Sequence, residues 1–281
     1  MSAPTEPQSV RGAINYAVPN TTGEPLFVNI NAGVDGERAK NFEQKYHEVE
    51  IENVRGKEDQ YSVDKTGFQF FKRTPTVKDF TDDAVVEKTY YPEIEQVLKE
   101  LTGASRVVIF DHTIRRRRPG EIDDSPQKRQ PVPSAHVDQT TKASIARVRK
   151  HLPAEEVPEL LKKRFQIINV WRPITNIALD WPLALCDYRT VNKEQDALPT
   201  ALIYPNREPG ETFNIQYNPE HRWKYLRGMN TDEGVLIKCF DSVQDGSVAV
   251  FTPHTAFQDP STPHDAPYRE SIEVRTLVFY D

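Results

Sequence analysis

His136-Val137-Asp138, the distant His254 and the triplet Arg269-Glu270-Ser271 are the residues of this chain whose types and spacing could do chemistry. Two imidazoles and one carboxylate can occupy one face of an octahedral divalent ion such as Fe(II), leaving three positions open. Side chains alternate along a strand, so His136 and Asp138, two apart, project to the same side and can converge on one ion. Mn(II) and Zn(II) would also accept these donors, and no cysteine is placed to favour a thiolate site. Arg269 and Ser271 likewise share a face, where a guanidinium and a hydroxyl suit the two oxygens of a carboxylate. The combination predicts Fe(II) with a 2-oxoacid cosubstrate whose far carboxylate is held by a forked arginine contact.

An H-x-D run alone is a common accident. Position strengthens this one, since it closes a short strand after a long Pro-rich loop and leads into the polar run Gln139-Thr140-Thr141. The third ligand could be His221, His254 or His264. His221 and His264 lie in loop-like stretches, whereas His254 follows the apolar run Val248-Ala249-Val250-Phe251, read as a strand over 247–253 that His254 terminates. The next strand is expected to return antiparallel alongside it, bringing Arg269 and Ser271 to the metal. Arg275 falls on the same face. It either holds the cosubstrate's other end, contacts the substrate or pairs with Glu273.

The elements that must position these residues are mostly strands. Residues 1 to about 12 read as a loosely attached tail, and 13–281 as a single domain with an N-terminal extension. Alternating runs at 24–30, 47–52 and 67–71 predict a small N-terminal sheet. Val85, Val86, Tyr90, Ile94, Val97, Leu98 and Leu101 recur at helical spacing, predicting a helix over 76–102 capped by Gly103. A strand starts at Arg106, and a helical insert capped by Thr140 or Thr141 covers about 140–163, with a second short helix at 155–163. Thereafter strands are expected at 165–172, 183–191, 200–204, 211–217, 222–228, 234–240, 247–253 and 271–280. Such a succession, with Pro, Asn and Asp corners, is the pattern of an all-β core with added helices, a sandwich or jelly roll.

Composition narrows the function. A net charge of −6 over 281 residues argues against nucleic acid as a partner. Nothing approaches the run of about 20 apolar residues needed to span a bilayer, and the polar N-terminus lacks a signal-like segment. Cys186 and Cys239 lie in apolar runs and read as buried free thiols of a reducing, cytoplasmic compartment. Lys238 interrupts the apolar run Val235-Leu236-Ile237 and needs a buried partner or a pocket role. In the run Arg115 to Arg118, salt bridges along a strand end are expected, with Arg115 or Arg117 as candidates to face the cavity and contact substrate. Trp171 is a further candidate, shared between core and pocket, and Arg172 on the opposite face should pair with an aspartate.

The chain resembles the fungal AsaB-type hydroxylase/desaturase family, which includes gibberellin desaturase-like and 7α-cephem-methoxylase-like proteins. The resemblance rests on Arg115-Arg116-Arg117 with Pro119, His136-Val137-Asp138-Gln139-Thr140 and Asn169-Val170-Trp171-Arg172-Pro173. It continues through Asp180-Trp181-Pro182-Leu183-Ala184, Cys186-Asp187, Phe240-Asp241-Ser242 and Thr252-Pro253-His254-Thr255-Ala256-Phe257 to Arg269–Arg275, spanning roughly residues 20 to 281. It implies a double-stranded β-helix oxygenase that uses Fe(II) and 2-oxoglutarate to hydroxylate or desaturate a small specialised metabolite with O2. In that picture His136, Asp138 and His254 hold the metal and Arg269 anchors 2-oxoglutarate. Two other classes remain open on the residues alone. One is a cupin-like metalloenzyme that uses no 2-oxoacid; the other is a non-catalytic β-barrel binding protein.

Overall fold

A computed structural model describes residues 7–31, 33 and 36–281. In chain order its strands are β1 (Ser9–Val18), β2 (Leu26–Asn29), β3 (Glu43–Asn53), β4 (Phe68–Lys72), β5 (Arg106–Arg116), β6 (His136–Val137) and β7 (Phe165–Pro173). They continue with β8 (Leu183–Cys186), β9 (Ala197–Tyr204), β10 (Arg207–Ile215), β11 (Trp223–Tyr225), β12 (Glu233–Asp241), β13 (His254–Ala256) and β14 (Glu270–Phe279). Nine form one sheet in the order β1-β3-β11-β8-β13-β6-β10-β9-β2, and five form another in the order β4-β12-β7-β14-β5.

The two sheets pack face to face. Ile14, Ile51, Val137, Leu185 and Trp223 from the larger sheet share one core with Phe68, Ile167, Val235, Ile237 and Leu277 from the smaller. β7 is buried at every position because it is flanked by β12 and β14 and covered on both faces. Its odd residues meet the inter-sheet core. Ile168 and Val170 face outward with Leu236, Ile272 and Val274, against Ile94 and Leu98 of the helix Tyr91–Thr102.

That helix starts later than its periodicity predicts. Residues 76–81 are not helical; Asp79 accepts the Thr81 N–H and Asp82 accepts the Ala84 N–H, so short polar side chains take the backbone donors first. The helical path begins at Asp83, passes through a π turn at Val86–Tyr90 and ends on Gly103, left-handed at φ 72°. The insert forms as expected, with Thr140 capping the helix Thr141–His151 through the Ala143 N–H, while the second helix is only Val157–Leu160.

Other expectations are corrected. Residues 9–12 are no tail, since β1 pairs with β3 from Ser9 onward; residues 1–6 lie outside the described ones. No separate N-terminal sheet forms. β1, β2 and β3 join the nine-stranded sheet and β4 joins the five-stranded one. β8 stops at Cys186, where Asp187 caps a 3-10 turn at Tyr188–Thr190. Residues 247–253 are buried in part but make no strand. Pro253 has no N–H to give a ladder, and pairing starts only at His254.

Candidate metal and cosubstrate site

His254 therefore opens a strand rather than terminating one, and the placement serves the site well. β13 lies beside β6, with His254 directly opposite His136 and the two rings 4.5 Å apart. Each ring is oriented by its own backbone. His136 Nδ1 donates to the Ser134 carbonyl at 2.7 Å, and His254 Nδ1 to the Thr252 carbonyl at 3.0 Å. A carbonyl only accepts, so both protons sit on Nδ1 and both Nε2 lone pairs are free for a metal. Asp138 Oδ1 stands 3.4 Å from His136 Nε2 and 3.9 Å from His254 Nε2, and the ligand atoms of the three residues lie within 4.8 Å of one another. Burial, then the neighbouring His136, push His254 down to about 4, which keeps it a neutral ligand.

The other carboxylate oxygen is held from the opposite sheet. Asp138 Oδ2 accepts from Asn169 Nδ2 at 2.8 Å and Arg275 Nε at 3.0 Å. Burial alone would raise this carboxyl, but Arg275 and the two histidines hold it well below the usual carboxylate range. Oδ1 alone is left for the ion.

β14 does not return beside β13. It lies in the five-stranded sheet between β5 and β7, and its inner face looks across the core at the histidines. Along that face Ser271 pairs with Arg115, Glu273 with Trp171 and Thr113, and Arg275 with Asn169 and Asp111. Every nitrogen of Arg275 is engaged. Besides Asp138 it donates to Asp111 Oδ1 at 3.1 Å, Thr113 Oγ1 at 2.8 Å and Glu273 Oε1 at 2.6 Å. The pairing with Glu273 holds, and four of the five guanidinium N–H groups are taken up within the protein. What Arg275 does hold is Asp138.

Arg269 is the opposite case. Its Nη1 donates to the Trp181 carbonyl at 2.5 Å and its guanidinium lies 5.6 Å over the Trp171 ring, yet its Nε is buried with no partner. Ser271 Oγ is equally buried and unpartnered. Burial, then the nearby Arg115, make the Arg269 cation costly to hold. An orphaned guanidinium nitrogen, an orphaned hydroxyl and a second cation together fit the far carboxylate of 2-oxoglutarate.

The remaining candidates divide. Arg115 lines the cavity at the metal and donates to the Gln130 carbonyl at 3.0 Å. Arg117 turns away from it, bonding Asp180 at 2.6 Å and stacking over Trp181 and Tyr268. Trp171 is buried under Arg269 and is not a wall of the cavity. Lys238 is corrected outright. It is fully buried between Asp64 at 2.7 Å and Asp241 at 2.8 Å, a structural ion cluster. Arg172 faces Glu93 at 3.7 Å rather than an aspartate. Both cysteines are buried and free.

Asn169 stands in the family-like run Asn169–Pro173 with no role attached; its register opposite Arg275 is what brings it to Asp138. Trp181 stands in the Asp180–Ala184 motif, but nothing in that motif signals its contact with Arg269. Its left-handed backbone, φ 45°, is a conformation that costs a non-glycine residue about 1–3 kcal/mol, and its carbonyl receives Arg269. Asp180 seats the same arginine by accepting its backbone N–H at 3.1 Å.

A family profile described as "Oxidoreductase/YMDC permease-like domain" matches residues 14–279. The hydroxylase/desaturase efuI of Hormonema carpetanum is 35% identical over 253 residues, covering 83% of each chain. The Fe(II)/2-oxoglutarate-dependent dioxygenase nvfI of Aspergillus novofumigatus is 32% identical over 272 residues, 91% of this chain and 95% of that one. This chain belongs to the fungal hydroxylase/desaturase family of Fe(II)/2-oxoglutarate-dependent dioxygenases. A solved structure of the iron and alpha-ketoglutarate-dependent endoperoxidase NvfI superposes with a TM-score of 0.87 at 30% identity, covering 98% of both chains. The dioxygenase fold is thus the double-stranded β-helix, a jelly roll, and its cofactors are Fe(II) and 2-oxoglutarate. That removes the cupin-like enzyme without a 2-oxoacid and the non-catalytic barrel. Among the described residues no helix is long and apolar enough to cross a membrane.

Proposed function

We propose that His136, Asp138 and His254 hold Fe(II), that Arg269 and Ser271 hold the far carboxylate of 2-oxoglutarate, and that the dioxygenase hydroxylates or desaturates a small specialised metabolite. The observation that carries this reading is a pairing across the core. Three metal-ready ligand atoms on one sheet face a buried guanidinium nitrogen and hydroxyl on the other that have no partner. When bound, Fe(II) with 2-oxoglutarate and O2 supplies the oxidation of an unactivated C–H bond, with decarboxylation of 2-oxoglutarate to succinate.

The protein's part is position. The backbone carbonyls of Ser134 and Thr252 keep the protons on Nδ1, so both Nε2 atoms could hold the ion, and Asn169 with Arg275 engages Asp138 Oδ2, so Oδ1 would be the oxygen offered to it. Trp181 and Trp171 brace the guanidinium of Arg269. A cavity of about 1570 Å³ reaches His136 and Asp138 between the 119–134 loop, β5 and the β9–β10 hairpin, and is the place for substrate. On this reading the partners are that small molecule and O2, in the cytoplasm, with no part for nucleic acid or a bilayer.

The test is anaerobic addition of Fe(II) and 2-oxoglutarate to the full chain. A weak visible charge-transfer band is expected, and succinate should form once air and a substrate are admitted. No band at saturating ligand, together with no succinate across a metabolite screen, would sink the reading.

A further inference from the structure

Three cations around the substrate cavity are held over aromatic rings instead of carboxylates. Arg147 lies 5.2 Å over Phe110, Arg207 lies 3.5 Å over Tyr204, and Lys40 lies 5.8 Å over Phe42, and all six residues line the cavity that reaches the metal ligands. None of the three cations has a carboxylate within ion-pair distance among the described residues, and the only polar side chain bonded to any of them is the neutral amide of Gln44, on Lys40. By contrast, the cavity's Asp111, Glu121, Asp123 and Asp138 are each matched to an arginine and Asp83 to His112; with Glu37 and Glu87 its seven carboxylates are outnumbered by nine lysines and arginines on the same wall. Glu87 lines the cavity from the π turn, beside Tyr91. In a chain of net charge −6, unneutralised cations gathered in one cavity leave it complementary to an anion.

Arg147 is the most fully built of the three. It is half-buried on the helix that directly follows the metal-binding strand. Its platform Phe110 sits at a bulge, where the β5–β14 register slips between Arg275 and Thr276; such an extra residue re-aims a side chain. The His151 ring stacks on the same phenyl group at 5.2 Å. The guanidinium thereby rests on one ring, itself braced by a second, and makes no hydrogen bond among the described residues, an arrangement that favours an arriving acid over a neutral group.

We propose that the substrate of this dioxygenase is an organic anion, an acid with a planar or apolar body, whose acidic group docks on Arg147 with Arg207 and Lys40 at the rim. The proposal rests on the cavity being the substrate pocket of the site described above. It assigns the charge of the substrate, and it makes Arg147 and Phe110 determinants of specificity.

The test uses the full chain loaded with Mn(II) and 2-oxoglutarate, and a panel of fused-ring carboxylic acids, each matched with its primary amide. Proton relaxation of each compound reports binding near the paramagnetic ion without turnover. Acids are expected to bind about tenfold or more tightly than their amides, the size of one charge-assisted contact. Arg147→Gln should remove that preference, weakening the acids about tenfold and the amides little. Arg207→Gln, on an exposed hairpin, should do the same to a smaller extent. Equal binding of acids and amides by the unmodified protein overturns the proposal, as does an acid affinity untouched by Arg147→Gln. Absence of relaxation for every compound while Mn(II) and 2-oxoglutarate still bind overturns it too, yet leaves the metal site standing. Failure of Mn(II) itself to bind would bring down the underlying reading as well.

Discussion

Arg269 and Arg275 stand six residues apart on one face of the same strand region, and their surroundings are opposite. Arg275 is ringed by Asp138, Glu273, Asp111 and Thr113, so the folded chain already answers its charge. Arg269 has a carbonyl, a ring face and another cation for company, and an idle buried Nε. An arginine engaged at every nitrogen belongs to the scaffold. An unsatisfied one, kept buried at a cost to folding, waits for a ligand. On the proposed reading, the contrast separates the residue that shapes the metal site from the residue that recruits the cosubstrate.

Four substitutions would break or sharpen that contrast. The largest effect is expected from Arg275→Met, which leaves Asp138 and Glu273 as buried carboxylates without their cation. It should cost about 3–5 kcal/mol in denaturant unfolding and weaken Fe(II) binding. An unfolding midpoint equal to that of the parent would mean Arg275 is not part of the scaffold. Arg269→Met should do the reverse. Affinity for 2-oxoglutarate, read by titrating the charge-transfer band, should fall about 100-fold, roughly 3 kcal/mol. Without 2-oxoglutarate the variant should be as stable as the parent or more so, because a poorly compensated buried cation has gone. A large loss of ligand-free stability would erase the distinction between the two arginines.

Asn169→Ala should weaken Fe(II) about tenfold, since it removes one of the two donors that turn Asp138, while leaving the 2-oxoglutarate affinity of the metal-loaded protein nearly unchanged. Isothermal titration with a redox-silent ion such as Zn(II) would check the metal half. Parent-like metal affinity would shift the whole task to Arg275. The smallest change is expected for Ser271→Ala, about 0.5–1.5 kcal/mol of 2-oxoglutarate binding with no penalty in thermal unfolding, because its Oγ has no partner to lose. A clear drop in melting temperature would show the hydroxyl to be structural.

How much was legible beforehand depends on how local each signal is. His136 and Asp138 were readable because a spacing of two on a strand fixes a shared side. Thr140 and Gly103 were readable as caps because the backbone groups they satisfy are adjacent in the chain. The same logic misled at 247–253, where apolar residues promised a strand that Pro253 cannot begin. It misled again at Lys238. Its partner Asp64 is remote in sequence, so a lysine in an apolar run looked available for a pocket when it was already paired. Alternation put Ser271, Glu273 and Arg275 on one face but could not say which neighbours that face would meet.

By itself, the sequence determined the chemical inventory. It supplied two imidazoles and a carboxylate for a metal, an arginine and serine for a carboxylate, and an all-β pattern able to hold them. The tertiary structure decided the assignments. Placing β13 beside β6 brought His254 to His136, and placing β14 in the facing sheet gave Arg275 to Asp138 and left Arg269 unanswered. The physical reason lies in range. Alternation and capping are set within a few residues, whereas strand partners, and the burial that makes an unpaired charge costly, arise only when distant segments pack.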